Sequence, residues 1–167
     1  MNLQFYVEKL KSLDKYEKFI TEFPDAYPCS GFFIIDLEKN DNKNHFDFYI
    51  PKDKKIFSFQ LESENFVPVE MIGDEVPKKI NLNISFDFNE VEKMIKEKMQ
   101  EEKIYKKIQK LLFSLQKFDK KEILVGTIFI SSLGIIKINI NLEDMRITDF
   151  EKKSFFDMLR VIGKKKL

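Results

Sequence analysis

Reactive and metal-binding side chains are scarce: one cysteine (Cys29) and one histidine (His45) in 167 residues. A lone cysteine excludes an intramolecular disulfide framework and suits a reducing compartment. One residue of each kind also puts the usual Cys/His zinc site out of reach. The five glycines (Gly31, Gly73, Gly126, Gly134, Gly163) are isolated. None stands in a GxGxxG or GxxxxGK[ST] frame, so there is no phosphate-binding loop. Neither sign of charge is in excess, with 29 basic against 28 acidic residues and a net charge of +1. Nucleic-acid binders usually gather positive charge on one face, whereas here the signs are interleaved. The nearest basic patch is Glu151 to Leu167, with six Lys/Arg against two acids. It reads as a solvated chain end.

Long apolar runs are also missing. Ile123 to Ile136 ("ILVGTIFISSLGII") has no charge in 14 residues, short of the roughly 20 that span a bilayer. It is rich in β-branched residues and interrupted by Ser131, Ser132 and Gly134, which reads as a buried hairpin. The opening stretch "MNLQFYVEKLKSLDKYEKF" is charged throughout and is no signal peptide. The expected location is cytoplasmic, without membrane contact.

What the chain has in quantity is phenylalanine, 18 residues of it, in a composition 43% apolar. Lys, Asn, Ile, Phe and Glu dominate, as codon bias in an AT-rich genome would produce. The apolar share supports a sizeable core in a single domain, 1–167, with possible halves 1–72 and 80–167.

Leu3, Val7, Leu10, Leu13, Ile20 and Phe23 recur at helical spacing, with a break near Ser12–Asp14 and a stop before Pro24. The period then becomes two. "GFFIID" is apolar on both faces, while Phe46, Phe48 and Ile50 alternate with Asp47 and Tyr49. After a turn at Pro51 to Lys54, Phe57, Phe59 and Leu61 share a face, and Phe66, Val67 and Val69 predict an edge strand around Pro68. Ile72 to Lys79 ("IGDEVPKK") reads as the link between halves. Ile80 to Phe88 alternates like a strand. From about Asn89 to Phe118 no Gly or Pro intervenes. Val91, Met94, Ile95, Met99, Tyr105, Ile108, Leu112 and Leu115 predict one long helix capped by Asp87 or Asn89. Two or three strands follow, turning at Ser131 to Gly134 and at Glu143-Asp144. A short helix with Phe155, Phe156, Met158, Leu159 and Ile162, capped by Asp149 or Ser154 and closed by Gly163, ends the chain.

Candidate chemistry centres on Cys29. A thiol nucleophile needs a base, and the sole histidine, His45, could approach it if Gly31 and Ile50 lead paired strands. No helix N-terminus follows Cys29 to stabilise a thiolate, so a packed thiol at a loop–strand junction is the preferred reading. In Asp36 to Asp47, oxygens of Asp36, Glu38, Asn40, Asn42, Asn44 and Asp47 fall at EF-hand positions. The sixth position is Asp41 rather than glycine and the flanks are strands, so a polar hairpin loop is expected instead. Glu101-Glu102 and Glu143-Asp144 do not converge as acid/base pairs. Phe46, Phe48, Phe57 and Phe59, interleaved with lysine, echo base-stacking strand faces, yet the core needs them. No catalytic, cofactor-binding or metal-ligating residue is assigned, and no cofactor is expected.

The run Ile140, Asn141, Leu142, Glu143, Asp144, Met145, Arg146 and Ile147, a strand leading into a turn before a short helix, resembles the IDAxTGxI turn that ends PepSY-type domains. Asn141 stands where that family has aspartate, and Met145 where it has glycine. The opening helix, "PDAY" and apolar strand are similar to small uncharacterised cytosolic archaeal proteins of that type. The resemblance implies a non-catalytic module with protein-binding or inhibitory roles.

The expectation is therefore an α+β fold: an antiparallel sheet with helices mainly on one face, arranged as two helix–β–β–β halves. The expected function is a non-enzymatic protein-binding or assembly module whose partner is another protein or a second copy. The alternatives are an accessory factor of a nucleic-acid machine such as the ribosome, held by a lysine-rich helix and tail, and an enzyme using Cys29.

Overall fold

The computed structural model describes residues 1–154, 156, 157, 159, 160 and 163. Two short helices open the chain, α1 (Leu3–Lys11) and α2 (Asp14–Glu22). Asn2 caps α1, its side-chain oxygen accepting the Phe5 N–H at 3.0 Å; this satisfies one donor that the first turn leaves unpaired. Four strands follow: β1 (Tyr27–Asp36), β2 (Lys43–Ile50), β3 (Lys55–Gln60) and β4 (Asn65–Val69). After the link comes α3 (Phe88–Glu101), then β5 (Ile108–Phe118), β6 (Lys121–Ile130), β7 (Gly134–Asn141) and β8 (Arg146–Ser154).

All eight strands form one sheet in the order β4-β3-β2-β1-β5-β6-β7-β8, and every neighbouring pair is antiparallel. Each half is a helical segment followed by a four-stranded meander; β4 is the edge strand expected around Pro68, whereas β5 lies where the pattern predicts helix. The halves meet where their first strands pair, with Phe33 opposite Phe113. Their helices start side by side as well. Leu3 N–H donates to the Phe86 carbonyl and Phe88 N–H to the Met1 carbonyl, both at 3.0 Å.

The long helix expected from Asn89 to Phe118 is corrected. It stops at Glu101 because the chain closes a C-terminal cap there. Ile104 N–H reaches the Met99 carbonyl at 2.8 Å and Lys103 N–H the Gln100 carbonyl at 3.0 Å. Lys103 adopts φ 57°, the left-handed conformation this cap requires. Met99 and Ile104 are both buried beside the cap. Tyr105, assigned to the buried helix face, is 80% exposed, and Ile108, Leu112 and Leu115 lie on β5. Ile80 to Phe88 is not a strand: apart from a bridge at Asp87, the stretch before α3 carries no strand pairing. Asp87 is the α3 cap, accepting the Asn89 N–H at 2.7 Å.

Helices α1, α2 and α3 pack on the same side of the sheet. Phe19 of α2 meets the rings of Phe48, Phe57, Phe59 and Phe66. Tyr6 of α1 meets Phe33, and Phe88 of α3 meets Phe113. Phe46, Phe48 and Phe59 are at most 1% exposed, so the phenylalanines of the first meander build the core. Pro68 sits in β4, the outermost strand, the part of a sheet where proline is tolerated.

Asp149, offered as a helix cap, is instead paired with Asn139 in the sheet. Ser154 and Asp157 exchange cap bonds: Ser154 N–H to Asp157 Oδ2 at 3.3 Å, and Asp157 N–H to Ser154 Oγ at 3.1 Å. Phe155, Met158 and Ile162 of the closing helix lie outside the described residues.

Candidate functional site

Side chains alternate across a strand, so the residues between the core positions form a second face. None of α1, α2 or α3 packs there. On the central strands this face carries Phe32 and Ile34 (β1), Leu112 (β5), and Val125 and Phe129 (β6), all half-buried. They are cross-strand neighbours, with Ile34 opposite Leu112, Phe32 opposite Ser114 and Ser114 opposite Val125. The result is an apolar band at the middle of a wide sheet surface.

Charges on this face are compensated locally. Lys110 Nζ stands 3.5 Å from Asp36 Oδ2, and on β8 Lys153 Nζ stands 3.5 Å from Glu151 Oε1. Asp36 also ends β1, where its Oδ1 accepts the N–H of Glu38 and Lys39 at 3.0 and 2.9 Å. Those backbone donors, Lys39 first, and the Lys110 ammonium hold its carboxyl below the ordinary carboxylate range.

Toward the β4 edge the band opens into a cleft of ≈ 450 Å³ whose lining includes Phe32, Ile34, Lys43, His45, Gln60 and Asn65. His45 lies opposite Phe32 and stacks on its ring, with centroids 5.1 Å apart and planes 25° from parallel. Its Nε2 is 3.7 Å from Asp47 Oδ1. The other Asp47 oxygen, Oδ2, accepts the Ser30 hydroxyl at 2.8 Å.

Serine, aspartate and histidine are thus adjacent, but in an order unsuited to nucleophilic catalysis. A triad needs the histidine between hydroxyl and carboxylate; here the carboxylate lies between. Asp47 Oδ1 is buried without a hydrogen-bond partner, as is Asn44 Oδ1, although Asn44 Nδ2 donates to Glu62 Oε1 at 2.7 Å.

Cys29 sits where the β1–β2 register shifts between Pro28 and Ser30. Gly31 pairs with Phe46 and Phe32 with His45. His45 therefore belongs to a pair three residues along β1 from Cys29. The thiol donates to the Asp47 backbone carbonyl at 3.5 Å. Burial, with the Asp47 charge second, pushes the thiol up to about 12, the opposite of what activates a nucleophile. In the Asp36 to Asp47 loop the oxygens serve separate partners, with Asn42 Oδ1 accepting the Asp36 N–H at 2.8 Å. Among the described residues no group of three or more His, Cys, Asp or Glu is placed to hold a metal ion.

The sequence flagged part of this face, since "GFFIID" and "ILVGTIFI" read as apolar on both sides. It missed Leu112, which the long-helix reading had turned inward. The two-sided apolar pattern of "KLLFSL" is the signal that could have found it.

Among the described residues no helix is long and apolar enough to cross a membrane. No family model matches the chain, the PepSY type included, and no curated protein matches it. The crystal structure of a putative lipoprotein from Clostridium difficile 630 is similar, with a TM-score of 0.56 and 11% identity over 84% of this chain and 91% of that one. At that identity the likeness is one of fold: a helix-backed antiparallel sheet of this kind.

Proposed function

We propose that the protein is a non-enzymatic binding module that docks another protein on the face of its sheet opposite α1, α2 and α3. The observation that carries this is the band of Phe32, Ile34, Leu112, Val125 and Phe129 on the side opposite α1, α2 and α3. Eight strands at the usual ~4.8 Å spacing make a surface roughly 34 Å wide. With about 25 Å of strand length it offers on the order of 800 Å², what one partner contributes to an interface of standard size. Apolar area removed from water there contributes about 25 cal/mol per Å². Charges already paired within the face leave its centre suited to an apolar partner surface.

The resemblance of residues 140–147 to the PepSY turn points the same way, since it implies protein-binding or inhibitory roles. The nucleic-acid reading loses support because the α3 lysines are largely matched in place, Lys96 with Glu92 and Lys98 with Glu101 and Glu102. A cytoplasmic location fits the single unpaired thiol; fractionation with the membrane would instead place it at a surface.

Leu112→Glu and Val125→Glu each plant a carboxylate in the band without touching the core side. A partner retained by the wild-type chain from an extract of its source is expected to be lost by both variants and kept by the exposed-surface control Lys18→Glu. Retention of that partner by both variants, folded by circular dichroism, refutes the reading. Binding of RNA that weakens steeply with salt would favour the nucleic-acid role instead.

A further inference from the structure

A second cleft, of ≈ 550 Å³, lies between the end of α3 and the start of β5. Met99, Ile104 and Ile108, each at most 8% exposed, supply apolar lining. Four cations line it too: Lys93, Lys96, Lys106 and Lys107, against one acid, Glu97. Lys96 is neutralised by Glu92 at 2.8 Å, and Lys106 Nζ donates to the neutral Ser132 hydroxyl at 3.2 Å. Lys93, Lys106 and Lys107 have no ion-pair partner among the described residues. In a chain of net charge +1 this is a local excess of positive charge over an apolar floor.

The complementary surface is on the same chain. Between β4 and Pro77 the link reads Glu70, Met71, Ile72, Gly73, Asp74, Glu75, Val76. It carries three acids, none in an ion pair among the described residues. Ile72 is 101% and Val76 60% exposed, and a Cβ on Gly73 would meet nothing within 4 Å. The loop stands clear of the body, presenting carboxylates and two aliphatic side chains.

A chain cannot fill its own cleft this way. Val69 pairs with Ile56, Ile56 lies level with Tyr49, and Tyr49 with Tyr27. The other end of the loop is tied to the same level, where the Tyr27 hydroxyl donates to the Pro77 carbonyl at 2.7 Å. The cleft is at the far end of β1, beside Leu37, roughly 33 Å away along ten strand residues. A seven-residue excursion with both ends anchored extends about 12 Å. The two surfaces can meet only between copies: a two-fold pair would seat both loops at once, whereas a head-to-tail contact is heterologous and runs on into a ring or an open chain.

We propose that loop 70–76 of one molecule docks in the lysine-rimmed cleft of the next, its acids against Lys93, Lys106 and Lys107 and an aliphatic side chain on the floor, so that the protein forms chains of copies. This is independent of the docking role of the sheet face.

The test is sedimentation velocity of the full chain across concentrations at low salt. Species growing past a dimer with concentration, and dissociating as salt rises, are expected. Asp74→Lys with Glu75→Lys, or Lys106→Glu with Lys107→Glu, should each weaken association about tenfold or more. A chain carrying both reversals should regain it, and Leu112→Glu should leave it unchanged. A monomer throughout, a dimer that never grows, or association indifferent to both reversals overturns the proposal. So does tight binding of a short RNA, lost on reversing Lys106 and Lys107, in a chain that does not self-associate.

Discussion

The environment of Cys29 makes a quantitative statement about its reactivity. Thiol reagents react with the thiolate. In the folded protein the Cys29 thiol is pushed up to about 12 by burial and the Asp47 charge. At pH 7 a thiol of that pKa is ionised about once in 10⁵ molecules, against about once in 10² for an ordinary cysteine. Labelling of the native protein by an aromatic disulfide should therefore run about 10³-fold slower than labelling in urea, and accelerate about tenfold per pH unit. Asp47→Asn should recover part of the rate, and only part, because desolvation is the larger cause. The same shift acts on stability. The folded pKa lies above the unfolded one, so the unfolded chain releases its proton first. The group's contribution is complete below about pH 9 and is lost as pH rises toward 12. The assay is stopped-flow absorbance with and without denaturant. Native and unfolded rates within a factor of about ten at pH 7 would refute the reasoning and return Cys29 to candidacy as a nucleophile.

Three other outcomes are expected. Gly126→Ala would place a Cβ 2.8 Å from Ile138 Cγ1 and 3.1 Å from Phe113 Cε1, so overpacking should cost about 1–3 kcal/mol, read from the urea midpoint. Phe19→Ala removes a ring that touches Phe48, Phe57, Phe59 and Phe66 at once. It should destabilise by about 3–5 kcal/mol in urea unfolding; a loss below about 1 kcal/mol would mean the aromatic layer repacks. Asp36→Asn should destabilise the protein at neutral pH. Because the folded carboxyl is held below its ordinary value, the gap between variant and wild type should narrow as pH falls below about 4, a trend that urea melts at pH 7 and pH 3 would detect.

Short-range patterns sufficed for much of the first half. The helix break at Ser12–Asp14, the stop before Pro24, the Phe46/Phe48 and Phe57/Phe59 alternation and the Pro68 edge are all local, and each is present in the fold. In the second half the pattern misled at Ile108–Phe118. Leu111, Leu112, Phe113 and Leu115 satisfy a helical period as readily as a strand apolar on both faces. The preceding helix stops on a lysine at φ 57°, where sequence reading waits for a glycine. Losing that stop moved Leu112 from the sheet's open face to an imagined core. The Ser30–Asp47–His45 contacts were equally hidden, because they depend on the register of β1 against β2 and on the irregularity at Cys29.

By itself the sequence determined which residues avoid water, where the chain turns, and that no clustered Cys/His chemistry is available, since each rests on composition or near neighbours. Only the tertiary structure decided that β1 pairs with β5, that α1, α2 and α3 pack on one side, and that an apolar band lies on the other. Segments with two apolar faces have no local preference for which face is covered. That choice depends on contacts between residues some eighty positions apart, whose free energy exists only once the whole sheet has formed.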